Sequence, residues 1–275
     1  DLHSFPTRRS SDLHIAIVGG WIHVYFGWRA VFGFMVLIGI ALVAASFVAL
    51  PETHPREKRM PFHASTVLRT AWRIASTREF LLLAFAAAFN INSILMFVGA
   101  APAIVLDHWH LGETQFAWLF LPLIGGMMTG ATLSGRAAGR MRPHRQVQLG
   151  FTVALAATAA SVALHAVAQP PIPVQQFLLF VLGTGVQLTF PVLMLRMLDL
   201  FPRVRGSASS VQSFIGLMMS SVVMGAVVPL LQHTLFRLAA ASFVGSMMAF
   251  WLATRASRLG SVDQVHDDAV GPPEL

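Results

Sequence analysis

The chain has 275 residues, of which 55% are hydrophobic and 11% charged, with 19 Lys and Arg against 12 Asp and Glu for a net charge of +7. A soluble domain carries about 25% charged residues, and runs such as Ala30 to Leu50 and Phe80 to Val98 are long enough to cross a bilayer, so an integral membrane protein is expected. The absence of cysteine excludes a disulfide framework, thiolate catalysis, iron–sulfur clusters and cysteine-rich zinc sites, and the basic residues fall between apolar segments instead of forming the single soluble patch of a nucleic-acid reader.

In chain order, Ser4 to Leu13 reads SFPTRRSSDL, which resembles the in-frame translation of a widely used sequencing adapter. A secretory leader needs an apolar stretch of about 7–15 residues and a small-residue cleavage site, and Arg8-Arg9 is followed by polar Ser10-Ser11-Asp12. Residues 1–13 are therefore set outside the fold, and native sequence is expected to start at His14, inside an apolar segment whose beginning is missing. Resequencing the source DNA should fail to find Leu13 joined to His14; recovery of that junction from independent clones would overturn the adapter reading.

Apolar segments then run over 14–26, 28–50, 79–104, 115–134, 147–167, 175–198, 207–231 and 235–253. The first covers about 20 Å of a hydrocarbon core roughly 30 Å thick, so one partial and seven complete membrane helices are predicted. Residues 14–50 form one remnant, and the six helices of 79–253 form a bundle the size of half a transporter. Between them, 51–78 is a linker in which Val67, Ala71, Trp72 and Ile74 alternate with Arg69, Arg73 and Arg78. This pattern predicts an amphipathic helix on the membrane surface with its arginines toward anionic lipid. The polar tail, 254–275, is predicted to be disordered.

Loop charge alternates. The 51–78, 135–146 and 195–206 connections and the tail hold fifteen Lys and Arg after residue 13, while the opposite side holds only Arg29 and Arg237. By the positive-inside rule the long linker, the Arg-rich turns and the C-terminus are cytoplasmic.

Three stretches, IVGGWIHVYFGWRAVF at 17–32, VALPETHP at 48–55 and LDLFPRVRGSASSVQSF at 198–214, resemble the major facilitator superfamily, and within it the drug exporters that include the bicyclomycin and chloramphenicol resistance transporters. The resemblance spans 14–255. It implies an all-α membrane protein with a partial major facilitator fold that lacks four helices and most of a fifth. It also implies a proton-coupled exporter of small, mostly apolar compounds in a bacterial inner membrane, not an enzyme, with no cofactor, and monomeric when full length. A non-catalytic membrane scaffold, or a transporter of another substrate class, is the alternative. SGRAAGRMRPHR at 134–145 is similar to the family's gating-loop pattern without its acidic residue. Gly135, Arg136, Gly139 and Arg140 either contribute to gating or anchor two helix ends by charge.

An ionisable group inside a membrane helix is a functional signal because burying it is costly, but none of the twelve acids lies deep in a predicted segment, Glu79 standing at the edge of its own beside the central loop. If the resemblance holds, the carboxylate that couples transport to protons belongs to the missing part. His165, near the outer end of its helix, is either a proton relay or a neutral group reaching the interface, and Asp107, His108 and His110 are weak metal ligands at best. The uncharged polar residues carry more information. Asn90 and Ser93 share a helical face that continues to Phe97, with Asn92 pointing elsewhere, and Thr184 and Gln187 share one that extends to Phe190 and Met194. Each set contacts a small-molecule substrate or hydrogen-bonds a neighbouring helix. Paired methionines such as Met127-Met128, Met218-Met219 and Met247-Met248 offer adaptable apolar surface, at most one of each pair to a cavity.

Overall fold

A computed structural model describes residues 26–49 and 64–269. The partial helix predicted over 14–26 and the start of the linker fall almost wholly outside the described residues. The chain divides into two compact units, residues 1–61 and 62–275, which are treated separately.

The described part of the first unit is one helix, α1 (Trp28–Ala49). Gly27, with a φ of 77°, turns the chain into it and accepts the Ala30 N–H at 3.2 Å. At 1.5 Å per residue its 22 residues reach about 33 Å, enough to span a hydrocarbon core. Phe32, Met35, Leu37, Ile40 and Phe47 are all exposed, and side chains apolar on every side suit lipid or neighbouring membrane helices.

The second unit begins with the short α2 (Ala64–Ala75) and continues with α3 (Arg78–Gly99), α4 (Ala117–Ala137), α5 (Pro143–Val167), α6 (Ile172–Asp199), α7 (Arg205–Val222), α8 (Val228–Leu231) and α9 (Leu235–Ala269). A π-helical turn over Ala103–His108 follows α3, and another over Val223–Val227 joins α7 to α8. Together with α1, seven spans among the described residues are long and apolar enough to cross a membrane. They fall within a few residues of the segments read from hydropathy. One difference concerns the tail. Helical form continues past Arg258 to Ala269, through polar sequence read above as irregular; no glycine or proline stands between Gly260 and Gly271 to stop it.

Packing makes a ring in which α3 touches α6, α6 touches α5, α5 touches α9 and α9 returns to α3; α4 lies against α6, and α7 against α3. One apolar core, around Phe97, Ile104, Trp109, Leu119 and Leu182, lies toward the start of α4. The other, around Ile74, Phe80, Phe151, Leu193 and Met197, lies toward the basic turns. There Phe80 meets Phe201 edge-on at 5.7 Å, and Ile74 fastens α2 to the bundle.

The helix contacts are close because the sequence places glycine along them. Gly126 and Gly130 on α4 lie one turn apart against the backbone of Phe180 and Thr184 on α6, and a Cβ at either would overlap those carbonyl oxygens. Across the other side of α6, Gly185 faces the backbone of Gly150 and Ala154 at 2.6–2.7 Å from an added Cβ. In lipid, helices associate through such close packing and through interhelical hydrogen bonds. Prolines supply acceptors for those bonds. Pro122 has no N–H for the Trp118 carbonyl one turn earlier, and Gln176 Nε2 from α6 donates to that oxygen at 2.8 Å.

Candidate functional site

In a membrane helix every backbone N–H is already used, so a polar side chain must find a carbonyl, another side chain, water or substrate. Sorting the polar residues by what they find separates fastening from open groups. Asn90 is 1% exposed and its Nδ2 donates to the Val186 carbonyl at 3.0 Å, joining α3 to α6. Ser93 is fully buried, and its Oγ donates to the Asn90 carbonyl at 2.6 Å. The Ser93 carbonyl in turn accepts from Ser242 Oγ on α9 at 2.7 Å. The face carrying Asn90 and Ser93 thus looks into the junction of three helices. Phe97, further along, is buried in the core near Trp109 and lines a small cavity there with Thr158, Ser161, His165 and Gln175.

On α6 the two polar residues differ. Thr184 Oγ1 lies 3.1 Å from the Gly126 carbonyl of α4 and 2.9 Å from Phe180 O, so its one proton is shared within the glycine seam. Gln187 is half-buried, and among the described residues its amide makes no hydrogen bond. Pro191 lies four residues on and offers no N–H to the Gln187 carbonyl, so this turn of α6 carries an open side-chain amide beside a freed backbone acceptor. Phe190 and Met194, at i+3 and i+7, are half-buried on the same side of the helix. The structure therefore brings Gln187, Phe190 and Met194 together as a partly open strip, with Asn90 and Ser93 behind it and Phe97 in a different core.

Sequence reasoning passed over two groups. Gln146 in the first turn of α5 is 3% exposed, and its Nε2 donates to Ser134 Oγ at 2.7 Å and Leu188 O at 3.1 Å, tying α4, α5 and α6 together. It stands just after His144 and Arg145, at the edge of an apolar segment, where a glutamine gives little signal. Asn92 is also buried; its Nδ2 donates to Ala88 O at 2.9 Å, and Oδ1 has no partner among the described residues. His165 is half-buried with Nδ1 2.8 Å from Ser161 O and Nε2 enclosed without a partner, so the ring turns inward instead of reaching the interface. At the end of the bundle away from the basic turns, His108 Nε2 bonds the Gln232 carbonyl at 2.9 Å. Of the paired methionines, Met219 packs against the core while Met218, Met247 and Met248 are exposed.

The α4–α5 turn is shaped by Gly139, whose φ of 76° suits glycine. Gly135, Arg136 and Arg140 are exposed. At the same end Arg196 of α6 pairs with Glu79 of α3 at 3.7 Å, both partly shielded, and the exposed pair Arg205–Asp199 at 3.0 Å contributes little. Among the described residues, the acids within the spans stand at helix ends: Glu79, Glu113 and Asp199.

Residues 15–224 match the family model of the Major Facilitator Superfamily. Over 137 residues the chain is 26% identical to the bicyclomycin resistance protein homolog of Haemophilus influenzae, covering 50% of this chain and 34% of that protein. It is 27% identical over 112 residues to the multidrug resistance protein MdtM of Escherichia coli, covering 41% of this chain and 27% of the relative. The multidrug resistance protein MdtL of an E. coli strain matches over 194 residues at 25% identity, 70% of this chain and 47% of the relative. The chain thus spans less than half the length of each.

Proposed function

The chain belongs to the major facilitator superfamily, and from that premise we propose that it is part of a proton-coupled exporter of small, mostly apolar compounds in a bacterial inner membrane. The observation that carries the substrate side is the strip of Gln187, Phe190 and Met194: one open amide in apolar, partly exposed surroundings. Such a lining holds varied apolar molecules by shape while a single polar group sets their orientation. Asn90, Ser93 and Thr184 act at one remove, by holding the helices that present the strip, and Phe97 packs their far end. Arg136 and Arg140 anchor the ends of α4 and α5 by charge, with Gly135 in the last turn of α4 and Gly139 shaping the turn between them. Relatives whose names include multidrug and bicyclomycin resistance support a drug-like substrate class.

Proton coupling requires a carboxylate within the membrane, and the acids of the described spans lie at their ends. We assign the coupling group to helices outside this sequence. The full-length protein, restored from upstream genomic sequence and expressed in an efflux-deficient host, should lower accumulation of apolar dyes and drugs, and a protonophore should remove the effect. Accumulation unchanged across such a panel would overturn the export reading, and export insensitive to the protonophore would overturn the coupling.

The fifteen-to-two distribution of basic residues supports a C-terminus on the inside. A reporter fused after Leu275 should be active only in its cytoplasmic form; periplasmic activity would reverse the orientation.

A further inference from the structure

Helix α2 is fastened to the bundle by one buried residue, Ile74, and the rest of its apolar surface is open. Leu68 and Trp72 are 73% and 75% exposed, and Phe214 on the third turn of α7 is 63% exposed. These three line a groove of about 730 Å³ whose other walls are Ser65, Arg69, Ala71 and Ala75 of α2 and Ser210 and Val211 of α7. The groove follows α2 from residue 65 to residue 75, about 15 Å of helix, but meets α7 over little more than one turn. Its walls are nearly all hydrocarbon. Besides the Ser65 and Ser210 hydroxyls the polar wall residue is Arg69, with Arg73 one turn along α2 outside the lining; both arginines are exposed, and among the described residues neither makes an ion pair.

We propose that this groove holds one acyl chain of an anionic phospholipid, with the lipid phosphate on Arg69 and Arg73. Two features select this occupant. A groove walled by leucine, tryptophan and phenylalanine at the basic end of a membrane bundle offers water almost no partners, which favours hydrocarbon within it. Arg69 on the groove wall and Arg73 one turn beyond it, outside the lining, favour an anion, and planar fork geometry suits a phosphate. Free phosphate would satisfy the arginines and leave the walls bare, and a zwitterionic lipid would fill the walls while gaining less at the arginines. An anionic phospholipid satisfies both at once. Trp72, apolar in body with a polar N–H, belongs at the headgroup level where such a lipid enters. The bound lipid then acts as a wedge that completes the contact between the surface helix and α7, so the position of α2 depends on the composition of the leaflet it rests in.

The test uses the chain in membranes of phosphatidylethanolamine mixed with phosphatidylglycerol. Benzoylphenylalanine is placed at position 214 in the groove, and separately at position 217, where Leu217 is exposed on α7 and does not line the groove. After irradiation, mass spectrometry should find phospholipid adducts at both positions, with phosphatidylglycerol enriched at 214 over 217. Enrichment by about five-fold for each arginine engaged corresponds to about 1 kcal/mol per basic residue near an anionic surface. Arg69→Gln with Arg73→Gln should bring the ratio at 214 down to that at 217, and Arg69→Lys with Arg73→Lys should keep most of the enrichment. Equal headgroup ratios at the two positions in the unaltered chain would overturn the proposal, and so would a peptide cross-linked at 214, which would mean that the groove is filled by protein.

Discussion

Gly130→Ala is expected to destabilise the six-helix unit by about 1–3 kcal/mol, and Gly130→Leu to leave almost no monodisperse protein after detergent extraction. The reason lies in which atoms the new methyl would meet. They are the carbonyl oxygen of Thr184, and its carbonyl carbon and Cα at 3.0 Å. Backbone atoms in the middle of a helix cannot rotate aside, so relief requires α4 and α6 to separate. Separation breaks the Thr184 bond to Gly126 at 3.1 Å and the Gln176 bond to Trp118 at 2.8 Å on the same interface, leaving carbonyls in lipid with no water to replace the donor. Gly216→Ala is the control, since the nearest atom to its added methyl is the end of the Gln212 side chain at 3.9 Å, and alanine favours the helix. The thermal midpoint should fall for Gly130→Ala and hold or rise slightly for Gly216→Ala. Equal midpoints for the two variants would show that the α4–α6 contact is looser than this geometry.

The spans were legible because length and apolar content suffice for them. No rotation about the helix axis has to be known to see that 147–167 crosses a bilayer. The rotation is what sequence does not supply. Asn90, Ser93 and Phe97 share a face by spacing alone, but whether that face meets a cavity or the Val186 carbonyl depends on an α6 residue 96 positions away. Gly126 and Gly130 carried the i, i+4 signature of a close helix contact, yet nothing in the string names Phe180 and Thr184 as the backbone they meet. Asn92 and Gln146 show the same limit: the Asn92 amide is visible as an anomaly in an apolar run, Gln146 beside Arg145 is not, and the partners of both are a property of the packed bundle. The amphipathic pattern of 64–75 was readable, including the arginines. That its apolar side would be only partly covered by α7 was not, because coverage depends on where a second helix lies.

Gln187→Leu in the restored full-length protein is expected to change the order in which compounds are exported, and Asn90→Ala to lower the amount of folded protein while leaving that order intact. The two residues were equivalent as sequence, each an amide in an apolar segment with a hydroxyl three residues away. The structure separates them by valence. The Asn90 amide spends a donor on Val186 at 3.0 Å in a site 1% exposed, so alanine there removes a cross-helix bond and opens a void. Interhelical bonds of this kind contribute about 0.6–1.7 kcal/mol, which lowers abundance for all substrates alike. The Gln187 amide is half-buried and unbonded among the described residues, so leucine removes no fastening and matches it in volume. A compound that hydrogen-bonds the amide should lose up to about ten-fold in transport, the equivalent of 0.5–1.5 kcal/mol for a neutral hydrogen bond, while a pure hydrocarbon cation should lose nothing or gain. Phe190→Ala should cut both, because it removes apolar contact without regard to polarity. A uniform loss in Gln187→Leu that tracks protein abundance would place Gln187 with Asn90 among the fastening residues and leave Phe190 and Met194 as an apolar surface without a polar anchor. Neither amide variant should alter protonophore sensitivity, since neither side chain titrates and the coupling carboxylate is assigned to helices outside this sequence.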